Sequence, residues 1–430
     1  MKHIAKIAAF TAIFLIINLI LCGFMPPDNG SSLDMWRSYH QKQSIDIAVI
    51  GSSLASCALP EEDLAAATGE NVALMATNAQ SLDMSQIALE TLLREHSPRY
   101  VILVMDLTNM TAKAQKAFLY AELQTDSWKD KPADLLRYMT SRDNFTGADS
   151  LNALFPWQSG SWPTDWPATI QQKWNAVLNR LSHRRGAAHA QPEDTTVINF
   201  DTVGMVNTWS QNAHDFSAQH IEELTSMLQL CQENGTRLLL ISAPKTTLDV
   251  VSYETYFDDY AYFKQLAAEY GASYYDFNLA KPELFENKEP DYHKDFTHMN
   301  AVGGHAFSLS MAKFLAMLDA GQDVESLFET PSEYLAAVNY ITNVYLTPEV
   351  HPDKILLLAG SYHGPSVQAE YEFWVKAPGE SEYSRVSAYS TRSWTEYAAA
   401  EHGTYQFRVN ARIVGSSADF ERYYECSVDF

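Results

Sequence analysis

The chain has 430 residues, of which 46% are hydrophobic and 19% charged, so it can bury two or three domain cores and global disorder is excluded. Its formal net charge of −23 argues against nucleic acid as a partner, because neutralising phosphates requires clustered Lys and Arg. The four cysteines lack the spacing of a zinc site or a disulfide framework, and we expect neither a metal nor a cofactor.

The N-terminal residues 1–27 predict a membrane anchor. After Lys2 and Lys6, the uncharged run over residues 7–24 would span about 27 Å as a helix, close to the thickness of a hydrocarbon core. The run is longer than the apolar core of a cleaved signal peptide, which favours an uncleaved signal anchor. The two lysines on the short side predict a cytoplasmic N-terminus and an ectodomain outside the cytoplasm, as in a single-pass protein of the cell membrane.

Residues 44–53 read SIDIAVIGSS, an apolar β-branched run that ends at a glycine followed by two serines. A run with so little alternation predicts a strand that is buried on both faces, as in a parallel sheet. Ligands of parallel sheets gather at the carboxyl ends of the strands, so Ser53 is expected where chemistry takes place. The alternative is an ordinary turn, since Gly and Ser are common turn residues.

Strand and helix patterns then alternate, with a helix from near Pro60 to Gly69, a strand over 71–75, a helix over 84–95 and a strand over 100–106. Three strand–helix steps in a row predict an α/β domain with a parallel sheet between helices.

Between about residues 110 and 210 the alternation fails, which predicts an insertion over the active face of the domain. Trp157, Trp162 and Trp166 lie there in a stretch that is broken by prolines. Exposed rings could stack on sugars, whereas insertions often bury their own tryptophans, and both interpretations stay open.

The sheet pattern resumes with strands predicted over 238–241 and 272–277, each preceded by a helix that ends at a glycine. A long loop then presents Asp295 and His298, three residues apart, just before a helix over 300–318. A serine nucleophile needs a base, and the base needs a carboxylate to orient it. The neighbours His293 and His305 are interpreted as surface or capping histidines.

Beyond residue 329 apolar and polar residues alternate over 371–376 and 403–412, which predicts a β-sandwich. We therefore expect an α/β domain over 28–328 and a β-sandwich domain over 329–430. The spacing Gly403-x-Tyr405-x-Phe407-x-Val409 resembles the triple-tyrosine and fibronectin-like modules of bacterial surface proteins. Such modules serve as binding domains or as spacers.

Gly51-x-Ser53 after the first strand, paired with Asp295-x-x-His298 near the end of the same domain, resembles the SGNH (GDSL-like) hydrolase and acyltransferase superfamily. The resemblance implies a three-layer, flavodoxin-like α/β/α fold. It also implies Ser53 as nucleophile, His298 as base and Asp295 as the carboxylate that orients the base. Ser52 stands where the family usually has Asp.

The family also supplies oxyanion donors from the loops after the second and third strands. By this resemblance the donors would be Ala79, through its backbone N–H, with Asn78 beside it and Asn109 after the third strand. Capping of the loops by Asn78, Gln80 and Asn109 is an equally open interpretation.

The anchor, the Gly-Ser-Ser sequence, the insertion and Asp-x-x-His-x-Asn together look most like the branch that contains DltD and the AlgX-type polysaccharide acetyltransferases. That branch implies transfer of an acyl group through acyl-Ser53 to a cell-envelope polysaccharide or teichoic-acid-like polymer, beside a membrane-bound O-acyltransferase. A carbohydrate or lipid esterase, which uses the same triad with water as acceptor, is one alternative. A non-catalytic protein that binds envelope glycan is another.

Overall fold

The computed structural model describes residues 2–24, 30–105, 116–125, 130–141, 146–155, 166–168, 170–171, 174, 194–206 and 218–430. Asn109, Trp157 and Trp162 lie outside the described residues. The chain begins with helix α1 (Lys2–Phe24) and helix α2 (Gly30–Tyr39).

Five strands form a parallel sheet in the order β2-β1-β3-β4-β5. They are β1 (Ile47–Gly51), β2 (Val72–Ala76), β3 (Tyr100–Val104), β4 (Arg237–Ser242) and β5 (Ser273–Asp276). This is the flavodoxin-like strand order, with its switch point between β1 and β3. The predicted parallel α/β fold is therefore confirmed.

Helices cover both faces of this sheet. The helices of its chain segment are α3 (Ser53–Ala58), α4 (Glu61–Thr68), α5 (Leu82–Glu95), α6 (Lys116–Thr125), α7 (Lys131–Ser141), α8 (Gly147–Leu154), α9 (Ala218–Glu233), α10 (Thr247–Ser252), α11 (Tyr256–Glu269) and α12 (Ala301–Asp319).

Strand β1 separates two cores because its alternate side chains point to opposite faces. Ala48 and Ile50 pack in one cluster with α2, α5, α6, α9 and α11. Ile47 and Val49 pack in the other, with α3, α4 and α12. All five residues of β1 are buried, which explains why its sequence is continuously apolar. The expected three layers are present.

The described part of the insertion is helical. It contains helices α6, α7 and α8, and Phe118 of α6 and Tyr138 of α7 are buried in the same core cluster as Trp36 of α2. Helices that join an existing layer need no strand beside them, which explains why the strand–helix alternation fails over this stretch. Trp166 is described and its side chain is exposed.

The C-terminal part forms two antiparallel sheets, preceded by the short helix α13 (Pro331–Ala337). One sheet has the order β10-β7-β6 and the other β12-β11-β8-β9. Their strands are β6 (Ile341–His351), β7 (Lys354–His363), β8 (Ala369–Lys376), β9 (Ser384–Ser390), β10 (Trp394–Tyr397), β11 (Thr404–Ile413) and β12 (Arg422–Asp429). Residues of both sheets, such as Val344, Phe373 and Phe407, share one hydrophobic core.

Among the residues that the structure describes, helix α12 is the one that is long and apolar enough to cross a membrane. Phe307, Met311 and Phe314 of this helix are buried in the core beneath the sheet, so its apolar composition is explained by packing. Helix α1 instead exposes Ile7, Phe10 and Ile13.

Candidate active site

Strand β1 ends at Gly51, where the chain passes close to two neighbours. The φ angle of Gly51 is +158°, and a Cβ there would lie 2.9 Å from Cβ of Ala55 and 3.1 Å from the carbonyl oxygen of Val104. Only glycine allows α3 and β3 to approach β1 this closely. The close approach fixes where the next residues, Ser52 and Ser53, leave the sheet.

Ser53 is the first residue of helix α3. The sequence had instead predicted a loop at Ser53, with the first helix beginning near Pro60. Ser52 caps the helix, because its Oγ accepts a hydrogen bond from the N–H of Leu54 at 3.3 Å. Ser53 is half-buried, and its Oγ lies 2.9 Å from Nε2 of His298. The two residues are 245 positions apart in the chain, so only the fold brings them together.

The other ring nitrogen of His298 faces Asp295. Its Nδ1 lies 3.0 Å from Oδ2 and 3.1 Å from Oδ1 of the carboxylate, whose side chain is 44% exposed. Oδ1 of Asp295 also accepts from the N–H groups of Thr297 at 2.8 Å and of His298 at 2.6 Å. Partial burial acts to raise the pKa of Asp295, but hydrogen bonds and charge from His298 and the N–H of Thr297 hold it well below its ordinary value.

The loop that carries Asp295 and His298 is held from two sides. Just before α10, Thr246 donates from its N–H at 3.2 Å and from its hydroxyl at 2.7 Å to the carbonyl oxygen of Phe296. At the start of α12, Asn300 donates from Nδ2 to the carbonyl oxygen of Asp291 at 2.8 Å. Thr246 was not predicted as a residue of the site, although Thr246-x-x-Asp249 has the pattern of a helix N-cap, and Thr246 does cap α10.

The resulting chain of hydroxyl, imidazole and carboxylate is the arrangement that removes a proton from serine. With Nδ1–H donated to Asp295, Nε2 is left as the acceptor that faces Ser53 Oγ. The described residues therefore bring together all three side chains that the sequence singled out for this role.

The loop after β2 begins beside the end of β1. The N–H of Thr77 donates to the carbonyl oxygen of Gly51 at 3.3 Å, and Gly51 lies two residues before Ser53. Ala79 has φ +50°, an unusual value for a residue with a Cβ, and within the described chain its N–H has no acceptor. The N–H of Ser53 likewise begins a helix, where the first N–H groups have no intrahelical acceptor.

The other polar residues of this loop have structural partners. The N–H of Asn78 donates to Ser31 Oγ at 3.3 Å. Gln80 is fully buried and donates from Nε2 to the carbonyl oxygen of Met75 and to Ser85 Oγ, each at 3.1 Å. Loop capping therefore accounts for Gln80. Asn109 lies outside the described residues, so its expected position beside Ser53 stays a prediction.

The two neighbouring histidines differ from each other. His305 is exposed and contacts Asp63 Oδ1 at 2.9 Å, so the surface interpretation is confirmed for it. His293 is completely buried, so that interpretation was wrong there. Ile198 donates its N–H to the carbonyl oxygen of His293 at 2.9 Å, and Nε2 of His293 lies 2.7 Å from Asn287 Oδ1. Burial lowers the pKa of His293 to about 4, although the charge of Asp295 and the backbone of His298 act to raise it.

Metal ligation is not apparent at this site. In the part of the chain that the structure describes, no group of three or more His, Cys, Asp or Glu side chains is arranged to hold a metal ion.

No family model and no curated protein matches the sequence. Among solved structures, a GDSL-like lipase from Bacteroides thetaiotaomicron has 9% identity and a TM-score of 0.33, over 66% of this chain and 98% of that chain. The C-terminal catalytic domain of peptidoglycan O-acetyltransferase A from Streptococcus pneumoniae has 11% identity and a TM-score of 0.27, over 65% of this chain and 95% of that chain.

Proposed function

We propose that the protein is a serine-dependent acyl-transfer enzyme of the SGNH type, with Ser53 as nucleophile, His298 as base and Asp295 as the orienting carboxylate. The observation that carries the proposal is the continuous chain from Ser53 Oγ to His298 Nε2 at 2.9 Å and from His298 Nδ1 to Asp295 Oδ2 at 3.0 Å. A serine hydroxyl is a weak nucleophile, and this arrangement activates it.

In the proposed reaction, Ser53 Oγ attacks the carbonyl carbon of an acyl donor while His298 Nε2 takes the hydroxyl proton. The oxyanion of the tetrahedral intermediate accepts hydrogen bonds from the N–H groups of Ser53 and Ala79. His298 then gives its proton to the leaving oxygen, and the acyl group remains on Ser53 as an ester. An acceptor hydroxyl, activated by His298, attacks this ester and regenerates the serine.

The acceptor that we propose is a hydroxyl of a cell-envelope polysaccharide or teichoic-acid-like polymer, as in the branch with DltD and the AlgX-type acetyltransferases. Support comes from helix α1, whose apolar side chains are exposed and suit a membrane anchor that holds the site near the envelope. In such a system a membrane-bound O-acyltransferase would supply the acyl group from the other side of the membrane.

A first experiment tests the nucleophile. Full-length protein, purified in detergent, is expected to release 4-nitrophenol from its acetate ester, and Ser53→Ala is expected to lose this activity by about 10³-fold or more. Ser56→Ala is the matched control, since Ser56 lies one turn along the same helix and donates its hydroxyl to the carbonyl oxygen of Ser53. Equal rates for the wild type and Ser53→Ala would refute the proposed nucleophile.

A second experiment separates transfer from hydrolysis. The acyl donor 4-nitrophenyl acetate is supplied together with envelope glycan fragments, and the products are identified by mass spectrometry. Acylated sugar supports the transferase, because an acceptor held beside the acyl ester outcompetes water. Free acid with no acylated sugar assigns the site to an esterase, and no cleavage of any ester leaves the glycan-binding alternative.

A further inference from the structure

A cavity of about 450 Å³ lies on the outer face of the sheet β12-β11-β8-β9, far along the chain from Ser53. Side chains alternate along β8, so that Phe373 and Val375 join the shared core while Glu372 and Trp374 face the cavity. The volume lies within the range of small-molecule binding sites. Nothing in the chemistry proposed for Ser53 uses this cavity.

The floor of the cavity is a fixed polar network. Glu372 Oε2 accepts from the indole N–H of Trp374 at 2.9 Å and from Nδ2 of Asn410 at 3.3 Å, and Asn410 Oδ1 accepts from Nε of Arg408 at 2.8 Å. Glu372 and Asn410 are only 8% and 6% exposed. A buried carboxylate is costly unless it is fully hydrogen-bonded, and here its bonds hold the indole ring in one orientation.

The aromatic side chains that line the cavity differ in whether a guanidinium group stacks on the ring. The guanidinium of Arg412 lies 3.8 Å from the ring centre of Tyr389, and that of Arg408 lies 5.0 Å from the ring centre of Phe420. Trp374 lines the same cavity and is half-buried, but among the described residues no ring and no cation stacks on it. Within the described part of the chain, no aromatic or cationic group therefore occupies the face of the Trp374 ring, which its hydrogen bond to Glu372 holds in place.

The charges of the lining cancel. Arg408 and Arg412 are balanced by Glu372 and Asp419, so the cavity as a whole is formally neutral. Arg412 uses Nε for Glu370 Oε1 at 2.6 Å and Nη1 for the carbonyl oxygen of Ala418 at 2.9 Å. Within the described residues its Nη2 has no acceptor. A neutral ligand with hydroxyl groups at its rim matches this combination better than an anion does, since the chain carries a net charge of −23.

We propose that this cavity binds a neutral pyranose unit of a polysaccharide, with the apolar face of the sugar ring on Trp374 and its hydroxyl oxygens accepting from Arg412. A pyranose has an apolar C–H face and a polar rim, which is the combination that the indole and the surrounding donors complement. The site goes beyond the activity proposed for Ser53, and it is independent of that activity.

The test is isothermal titration calorimetry on the full chain in a detergent without a sugar headgroup. The Ser53→Ala background prevents turnover and leaves the C-terminal cavity untouched. Cellohexaose, chitohexaose and mannohexaose are the neutral probes, and oligogalacturonate is the anionic probe. We expect at least one neutral probe to bind, the anionic probe to bind much more weakly, and Trp374→Ala to weaken binding by about tenfold or more.

Trp394→Ala is the matched control. Trp394 is exposed on β10 of the other sheet, where Arg392 stacks on it with 3.3 Å between the guanidinium and the ring centre, and its loss should leave affinity within about twofold. Phe420→Ala is a second variant of the cavity lining. Phe420 is exposed and lies outside the strands, so its substitution should leave the fold intact and should also weaken binding. The proposal is overturned if no neutral probe binds at millimolar concentration, or if the Trp374 and Trp394 variants bind alike.

Discussion

Charged side chains lie at both ends of the parallel strands, which we call the amino edge and the carboxyl edge of the sheet. The two groups of side chains differ in whether all their members are paired with one another. At the amino edge, Arg99 pairs with Glu70 and Asp319, and the hydroxyl of Tyr100 donates to Asp319 Oδ1 at 2.7 Å. Arg237 donates to the Tyr100 hydroxyl at 3.1 Å, which closes the network. Each of these four charged side chains forms an ion pair with a residue from another element.

At the carboxyl edge the chain of contacts is open at one end. Asp295 holds His298, His298 faces Ser53 Oγ, and in the described residues no further side chain continues the chain beyond the serine. Both edges depress the pKa of an aspartate. For Asp319, burial acts to raise the pKa, but hydrogen bonds from Tyr100 and Arg99 lower it. A lowered carboxylate pKa therefore does not identify an active site by itself, and the distinguishing feature is the serine hydroxyl that faces His298.

The largest expected effect is at the open edge. His298→Ala should lower kcat/KM for ester cleavage by about 10⁴-fold, because it removes the proposed base that faces Ser53. Steady-state kinetics with 4-nitrophenyl acetate measure this loss. The exposed His305, which contacts Asp63, supplies the control, and His305→Ala should change kcat/KM by no more than about twofold. Similar rates for the two variants would mean that the carboxyl edge is as structural as the amino edge.

A second effect concerns the buried histidine beneath the open edge. The pKa of His293 is about 4 in the folded protein, below its ordinary 6.5, so the unfolded chain binds more protons between these values. The stability contributed by neutral His293 is complete above pH 6.5 and is lost as the pH falls toward 4, by about 3 kcal/mol.

Chemical unfolding of the wild type and of His293→Gln at pH 7 and pH 4 measures this loss. The fall in the free energy of unfolding should be smaller in the variant, while His305→Gln should behave like the wild type. If His293→Gln loses as much stability as the wild type on acidification, His293 is not the group that titrates.

A smaller effect is expected at the closed edge. Asp319→Asn should lower the free energy of unfolding at pH 7 by about 1 kcal/mol and leave kcat/KM unchanged, because the network stabilises the sheet far from Ser53. Since the folded pKa of Asp319 is lowered, its contribution is present above the ordinary value and disappears as the pH falls below it. A loss of activity without a loss of stability would show that the two edges are coupled.

The smallest effect is expected at Ala79. Ala79→Gly relieves the unfavourable φ of +50° but adds freedom to the unfolded chain, so the free energy of unfolding should change by less than about 1 kcal/mol. The N–H is retained, so kcat/KM should stay within about threefold of the wild type. Kinetics and chemical unfolding check both values, and a loss of about 100-fold would show that the methyl group itself positions the loop.

The local sequence pattern was sufficient to predict much of the α/β fold. The continuous apolar run of β1 is dictated by burial on both faces, and the strand–helix steps around it follow from hydrophobic periodicity and from helix ends such as Gly69, which has φ +72°. The sequence did not predict where the helices of the insertion pack, because Phe118 of α6 and Tyr138 of α7 join a core cluster with Trp36 of α2, a distant segment of the chain.

For the site, the sequence by itself determined the residue types and their local settings: a serine directly after a buried strand, and Asp295 and His298 three apart before a helix. The Asp295-x-x-His298 spacing pointed to His298, but only the tertiary structure decided that His293 is buried while His298 lies beside Ser53. His293 and His298 have the same chemistry and differ by five positions, but the chain packs against one and leaves the other beside Ser53. Burial and a contact across 245 residues depend on how distant segments pack, and no local pattern encodes either of them.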